Sequence, residues 1–172
     1  NGGIWQPGDV IQAAIGQSDN AFTPLQLATY CATIANNGTR LKTHLVKQVT
    51  NYNRDQVISE TEPEVVALVD ISEENLKTVQ EAMKGVTQSG GTANSVFGDY
   101  GITIAAKTGT AENPGHSDNV TFIAYAPYDD PEIAVAVVLE YGSRGTYSMN
   151  VAKDIFDAYF YGKTVDENGN LV

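Results

Sequence analysis

Lys107-Thr108-Gly109-Thr110 is the tetrapeptide in this chain with the strongest claim to chemistry. It lies in a segment of strand character, from Ile102 to Ala111, where a glycine is normally disfavoured. Such a glycine marks either a local packing need or a backbone that a ligand must approach closely. Lysine beside threonine on a strand edge supplies a cation and a hydroxyl for a carboxylate. Unpaired backbone N–H groups on the same edge could hold an oxyanion. Side chains alternate along a strand, so Thr108 and Thr110 are expected on one face and Lys107 and Gly109 on the other.

Other groupings carry less. Gly101 to Thr108 nearly spells a phosphate-binding loop, but Ala106 stands where the glycine before lysine is required, and Gly109 would disrupt the helix that must follow. Ser18-Asp19-Asn20 and Ser117-Asp118-Asn119 have the composition of ordinary turns. His44 and His116 are isolated from other metal-ligating types. Cys31 falls on the apolar stripe of a helix, as a small buried hydrophobe does. Glu60, Glu62 and Glu64 read as a solvated loop rather than an acid–base pair.

The elements that must position the tetrapeptide can be read from caps and periodicity. Thr23, Pro24 and Gln26 form a capping box with proline at the first helical position, and Phe22 and Leu27 stand at the two positions of a hydrophobic staple. Leu27, Cys31, Ile34 and Ala35 give that helix its apolar stripe, and Asn37-Gly38 ends it. Leu45–Tyr52 and Gln56–Ser59 read as strands joined through Asn53-Arg54-Asp55. A second helix starts after Ser72 and buries Leu76, Val79, Met83 and Val86, with Ser89-Gly90-Gly91 as its stop. Two strands follow the tetrapeptide, Val120–Ala126 and Glu132–Tyr141, paired antiparallel across the turn Pro127–Pro131. The apolar run Ile133–Leu139 reads as a strand covered on both faces. A last helix, Tyr147–Tyr161, is expected to bury Val151, Ile155, Ala158 and Tyr159, and the polar tail from Gly162 to fray. The expected fold class is α+β, an antiparallel sheet flanked by helices.

Composition bounds the function. The 172 residues carry a formal charge of −11 and are 42% hydrophobic. That length supports a core, and the charge argues against nucleic acid or an anionic membrane surface as the main partner. One cysteine excludes an internal disulfide. The chain opens on Asn1-Gly2-Gly3 rather than methionine, so it is expected to be a piece of a longer protein.

Further stretches join the tetrapeptide in one pattern. They are Ala14-Ile15-Gly16-Gln17, Thr23-Pro24-Leu25-Gln26-Leu27-Ala28, Ile34-Ala35-Asn36-Asn37-Gly38, Leu45-Val46-Lys47, Ala106 to Glu112, and Phe122-Ile123-Ala124-Tyr125-Ala126-Pro127. In this order and spacing, from about residue 8 to residue 160, the chain resembles the transpeptidase domain of class B penicillin-binding proteins. It departs from the family at Ser18, Ala106 and Val120-Thr121, positions that bear on packing more than on chemistry. The resemblance implies a partial β-lactamase/transpeptidase-like domain, with residues 1–172 as its C-terminal portion. That family uses Ser-x-x-Lys, Ser-x-Asn and Lys-Thr-Gly motifs. None of the serines here (Ser18, Ser59, Ser72, Ser89, Ser95, Ser117, Ser143 and Ser148) has lysine three residues on. Both Ser-Asp-Asn triplets fall in the wrong place in the family's order.

By resemblance, Lys107 supplies positive charge to the catalytic site. Thr108 and Thr110 offer hydroxyls to a substrate carboxylate, the Thr110 N–H is an oxyanion donor, and Gly109 lets the acyl group lie against the strand. The implied activity is peptidoglycan D,D-transpeptidation. Its implied partners are stem peptides, β-lactams and other proteins of the cell-wall synthesis complex, and no cofactor is implied. A carboxypeptidase, β-lactamase or β-lactam sensor of the same fold, or a non-catalytic binding module, is the alternative. The family works outside the cytoplasmic membrane, tethered by an N-terminal anchor not in this chain. Without the nucleophile, the 172 residues are expected to be inactive alone and to self-associate.

Overall fold

The computed structural model describes residues 4–17, 20–169 and 172. Its helices are α1 (Pro7–Ala14), α2 (Pro24–Ala35), α3 (Glu73–Gly85), α4 (Asn94–Phe97) and α5 (Gly145–Tyr161). Its strands are β1 (Thr39–Leu41), β2 (Gln48–Thr50), β3 (Val57–Glu60), β4 (Val65–Leu68), β5 (Ala105–Ala111), β6 (Asn119–Ala126) and β7 (Ile133–Leu139). The principal sheet has the order β5-β6-β7, all antiparallel, and two ribbons pair β1 with β4 and β2 with β3. This is the expected α+β class.

The capping box of α2 is formed as read. The Gln26 N–H donates to Thr23 Oγ1 at 3.2 Å, and the Thr23 N–H donates to Gln26 Oε1 at 2.8 Å. Cys31 and Ile34 are buried, whereas Phe22 stays largely exposed at the position where a staple would bury it. Ser72 Oγ caps α3 by accepting from the Asn75 N–H at 3.2 Å. Leu76 and Met83 are buried as expected, but α3 ends at Gly85, several residues before Ser89-Gly90-Gly91.

The sheet has one helical layer on each face. On one face, Ala106, Phe122, Ala124, Val135 and Val137 pack with Phe97 of α4 and with Met149, Ala152 and Phe156 of α5. Phe97 stacks on Phe122 with ring centroids 5.5 Å apart. On the other face, Ala105, Ile123, Tyr125 and Ala134 pack with Cys31 and Ile34 of α2 and with Leu76 and Met83 of α3. β7 is therefore covered on both faces, as its continuous apolar run requires.

Two further expectations are corrected. Val151, Ile155, Ala158 and Tyr159 point outward; α5 buries Ser148, Met149, Ala152, Phe156 and Asp157 instead. The helix carries apolar residues on two sides, and the sheet takes the side whose small Ala152 lets the backbones approach. The tail does not simply fray, because Thr164 and Val172 exchange both backbone hydrogen bonds at 2.9 and 2.8 Å.

Among the described residues Asp157 is the one charge sunk into this layer. Its carboxylate accepts from the Tyr100 hydroxyl at 2.7 Å, from Lys153 Nζ at 2.9 Å and from Lys163 Nζ at 2.8 Å. Burial pushes its pKa up, but these three donors outweigh burial and hold it at about 2. The network ties α5 to Tyr100, at the start of the segment that leads into β5.

Candidate functional site

Lys107 to Thr110 lie in β5, which has β6 on one side and, among the described residues, a free edge on the other. The phosphate-loop alternative requires Lys107 at a helix start and is excluded. The register sets Thr108 opposite Phe122 and Thr110 opposite Val120, on the α5 face. Lys107 opposes Ile123 and Gly109 opposes Thr121, on the α2/α3 face. The alternation anticipated from the sequence holds without a bulge in the β5–β6 register.

Two contacts fix how the backbone of β5 is turned. Lys107 Nζ curls round to donate to the Thr108 carbonyl at 2.6 Å. Gln17 Nε2 donates to the Thr110 carbonyl at 3.3 Å. Gln17 reaches the strand from outside the sheet and Lys107 Nζ reaches round its own strand, so the carbonyls of Thr108 and Thr110 face the free edge. In an antiparallel ladder the N–H and C=O of one residue point to the same side. The N–H groups of Thr108 and Thr110 therefore also face outward, unpaired by β6. This edge offers a cation, two hydroxyls on one face and two outward amide donors, a set suited to a carboxylate and an oxyanion.

Three neighbours of the tetrapeptide are given no site role by the sequence. Gln17 follows α1 on a turn that Asn20 holds by donating from Nδ2 to the Ala13 and Gln17 carbonyls at 2.9 and 3.1 Å. Asn20 of the first Ser-Asp-Asn triplet thus has a structural use; Ser18 and Asp19 lie outside the described residues. Thr92 Oγ1 is 3.0 Å from Thr108 Oγ1. Thr92 gets there because Gly91 packs where a Cβ would overlap the Gly85 and Val86 carbonyls. The same loop is pinned to the head of β5 by buried Thr87, whose hydroxyl donates to the Ile104 carbonyl at 2.7 Å. The signal for Thr92 was Gly90-Gly91-Thr92, which reads equally well as a helix stop. The third neighbour, Thr121, stands across from Gly109.

The remaining candidates take structural positions. Asn119 Oδ1 accepts from the Tyr141 N–H at 2.9 Å, and the Asp118 carbonyl accepts from the Ser143 N–H at 3.1 Å, so the second triplet ties β6 to the end of β7. Burial pushes the Cys31 thiol up to about 12, which leaves it un-ionised and unsuited to nucleophilic work. Glu64 pairs with Lys42 at 2.7 Å on the surface, and Glu60 and Glu62 are exposed. His44 is exposed, and the ring of His116 lies 5.1 Å from that of Tyr141. Among the described residues no cluster of histidine, cysteine, aspartate or glutamate could hold a metal ion. Among them, too, no helix is long and apolar enough to cross a membrane.

Comparison with known proteins shows which family the chain belongs to. The family described as "Penicillin binding protein transpeptidase domain" matches residues 1–160. The chain belongs to this family. Among curated penicillin-binding proteins, it is 37% identical to penicillin-binding protein 2A of Bacillus subtilis over 172 aligned positions, covering 89% of this chain and 24% of that protein. It is 28% identical to the peptidoglycan D,D-transpeptidase MrdA of Escherichia coli, covering 97% of this chain and 28% of that protein. It thus spans about a quarter of the length of these penicillin-binding relatives. Penicillin-binding protein 2B of Streptococcus pneumoniae superposes with a TM-score of 0.79 and 32% identity, over 95% of this chain and 28% of that one. Penicillin-binding protein A of Mycobacterium tuberculosis, solved as an imipenem acyl-enzyme complex, superposes with a TM-score of 0.73 and 30% identity, over 86% of this chain and 33% of that one. These relatives identify the chain as part of the transpeptidase domain of a class B penicillin-binding protein.

Proposed function

We propose that the protein containing this chain is a serine D,D-transpeptidase that cross-links peptidoglycan. The observation that carries the reading is the open β5 edge, with a lysine, two threonine hydroxyls and two outward amides, in a chain of this family. A serine outside this chain attacks the penultimate D-alanine carbonyl of a stem peptide. Its hydroxyl proton is passed on, the peptide C–N bond breaks, and the terminal D-alanine leaves with a protonated amine. An amine of a neighbouring stem peptide then attacks the acyl-enzyme ester, forms the cross-link and returns the proton to the serine.

In this scheme the Thr110 N–H donates to the carbonyl oxygen as it gains negative charge. One such donor contributes about 3 kcal/mol of transition-state stabilisation. Lys107 sets a positive field at the site, and Thr108 and Thr110 hydroxyls bind the terminal carboxylate. β-Lactams take the place of the D-alanyl-D-alanine end and acylate the same serine; the acyl-enzyme structure of the Mycobacterium tuberculosis relative supports this. The substrate places the domain on the outer face of the cytoplasmic membrane, held by an anchor outside this chain. No serine in the chain has lysine three residues on, so the 172 residues alone form no acyl-enzyme.

The test is acylation of the intact protein by a fluorescent penicillin. Labelling of one serine is expected, with Lys107→Ala lowering the rate at least about tenfold, the scale on which active-site electrostatic contacts act. Wild-type rates in Lys107→Ala would remove lysine from the scheme. Absence of any acylation in the wild-type protein would favour a non-catalytic binding module.

A further inference from the structure

Gly109 and Thr121 are direct cross-strand partners. Residues opposed in an antiparallel pair keep their Cβ atoms about 4.5–5.5 Å apart. A Cβ placed on Gly109 would lie only 3.6 Å from Thr121 Cβ, and it would overlap Thr121 Oγ1 outright. The three atoms nearest that position all belong to Thr121, the third being its carbonyl oxygen at 3.9 Å. On this face, then, it is the Thr121 hydroxyl that leaves no room for a side chain at 109. The Thr121 side chain leans across the space that a side chain at 109 would occupy. Threonine is β-branched and stiff at χ1, so this filling is rigid. The neighbouring pair, Thr110 opposite Val120, inherits whatever separation the Gly109–Thr121 pair sets.

We propose that Thr121 is a positioning residue for the Lys107–Thr110 segment. Its side chain fills the place of the missing one at Gly109, fixes how closely β5 approaches β6, and thereby sets where the Thr110 N–H points at the open edge. The glycine of the tetrapeptide is needed to admit Thr121 rather than to admit a ligand. This rests on reading Lys107–Thr110 as an acyl-transfer site. A glycine reserved for ligand would have open space over it on the protein side, whereas here a side chain from the next strand already stands there.

The experiment is a double-mutant comparison in the intact protein: wild type, Gly109→Ala, Thr121→Ala and the pair together. Three quantities are measured for each: the acylation rate constant at saturating fluorescent penicillin, the affinity of the non-covalent complex, and the thermal midpoint. Alanine at 121 removes Oγ1 and leaves only the 3.6 Å Cβ approach, an ordinary van der Waals distance. Gly109→Ala is expected to lower the rate constant about tenfold or more, the scale of a displaced oxyanion donor, with a smaller change in affinity. A purely structural defect would reduce the active fraction and leave the rate constant of folded protein unchanged. The double variant is expected to return to within about threefold of Thr121→Ala, because the overlap is gone. A double variant as slow as Gly109→Ala overturns the proposal and returns the glycine to the ligand, and a Thr121→Ala protein that acylates at the wild-type rate shows that Thr121 positions nothing. A Gly109→Ala protein that acylates at the wild-type rate overturns it too. If wild type itself does not acylate, the acyl-transfer reading fails separately. The thermal midpoints then decide: a drop in Gly109→Ala reversed in the double variant sustains the brace, and an unreversed drop refutes it.

Discussion

Replacing Asp157 by asparagine tests the link between α5 and the segment leading into β5. The carboxylate is almost wholly buried, accepts from Tyr100, Lys153 and Lys163, and has its pKa lowered from the ordinary 3.8 to about 2. One pKa unit corresponds to about 1.4 kcal/mol, so the network contributes roughly 2 kcal/mol to folding at neutral pH. A group whose pKa is depressed in the folded state stabilises fully above its unfolded value. That contribution fades as pH falls from about 4 towards 2 and the native carboxylate takes up its proton. Asp157→Asn keeps the shape and an acceptor for Tyr100 but loses the charge. Lys153 and Lys163 are partly exposed and can turn to water, so they add little cost. The expected result at pH 7 is a thermal midpoint lower by about 4–8 °C for a domain of this size. The gap between variant and wild type should narrow as pH falls from 4 to 2. A gap that stays constant over that interval would show that the charge is not what the network contributes. A carboxyl ¹³C titration placing Asp157 near 4 would refute the reasoning at its source.

Two further outcomes concern the 172 residues by themselves. Intact-mass spectrometry after incubation with penicillin should show the unmodified mass, since no serine has lysine three residues on; a stoichiometric penicilloyl adduct would contradict this. Sedimentation equilibrium should show a mass that rises with concentration, because among the described residues β7 has a partner on only one edge and α5 presents Tyr147, Val151, Ile155 and Tyr159 to solvent. Each 100 Å² of apolar surface re-covered is worth about 2.5 kcal/mol, enough to compete with the repulsion of a charge of −11. A mass fixed at the monomer value over the whole concentration range would exclude that account.

What the sequence disclosed, it disclosed where signals were local. Thr23, Pro24 and Gln26 dictate a helix start whatever surrounds them, and the capping box formed as read. Pro127 to Pro131 breaks two apolar runs, and the strands on either side pair across it. The Lys107–Thr110 alternation needed only the period of a strand. The misreadings came where partners are distant or patterns ambiguous. β1 pairs with β4, and neither three- nor four-residue strand announces a partner more than twenty residues away. α1 starts at Pro7 behind Gln6, whose N–H is capped by the Asp9 carboxylate at 2.7 Å, without the serine or threonine that usually marks such a start. α5 was read on its wrong side because Asp157, a charged residue, sits on the buried one. Its three donors are what make that burial tolerable, and two of them, Tyr100 and Lys163, lie outside the helix.

The open edge of β5 poses a problem that the same contacts resolve. An unpaired strand edge invites another strand, and proteins commonly guard such edges with charge or cover. A strand adding itself here would need both carbonyl acceptors and amide donors in alternation. At Thr108 and Thr110 the carbonyls are already taken, by Lys107 Nζ and by Gln17 Nε2, while the amides beside them are left without a partner from β6. The lysine also puts a positive charge on the edge. An edge with its carbonyls covered and its amides open is poorly matched to another strand, which must use both. It is well matched to an oxyanion, which needs donors alone. The covering groups come from two places in the chain, Gln17 after α1 and Lys107 in the strand itself, while Thr92 behind α3 meets the Thr108 hydroxyl. The tetrapeptide lies in a sheet held between α2 and α3 on one face and α4 and α5 on the other. Substitutions at either helical layer should reach the tetrapeptide through the strand it shares with them.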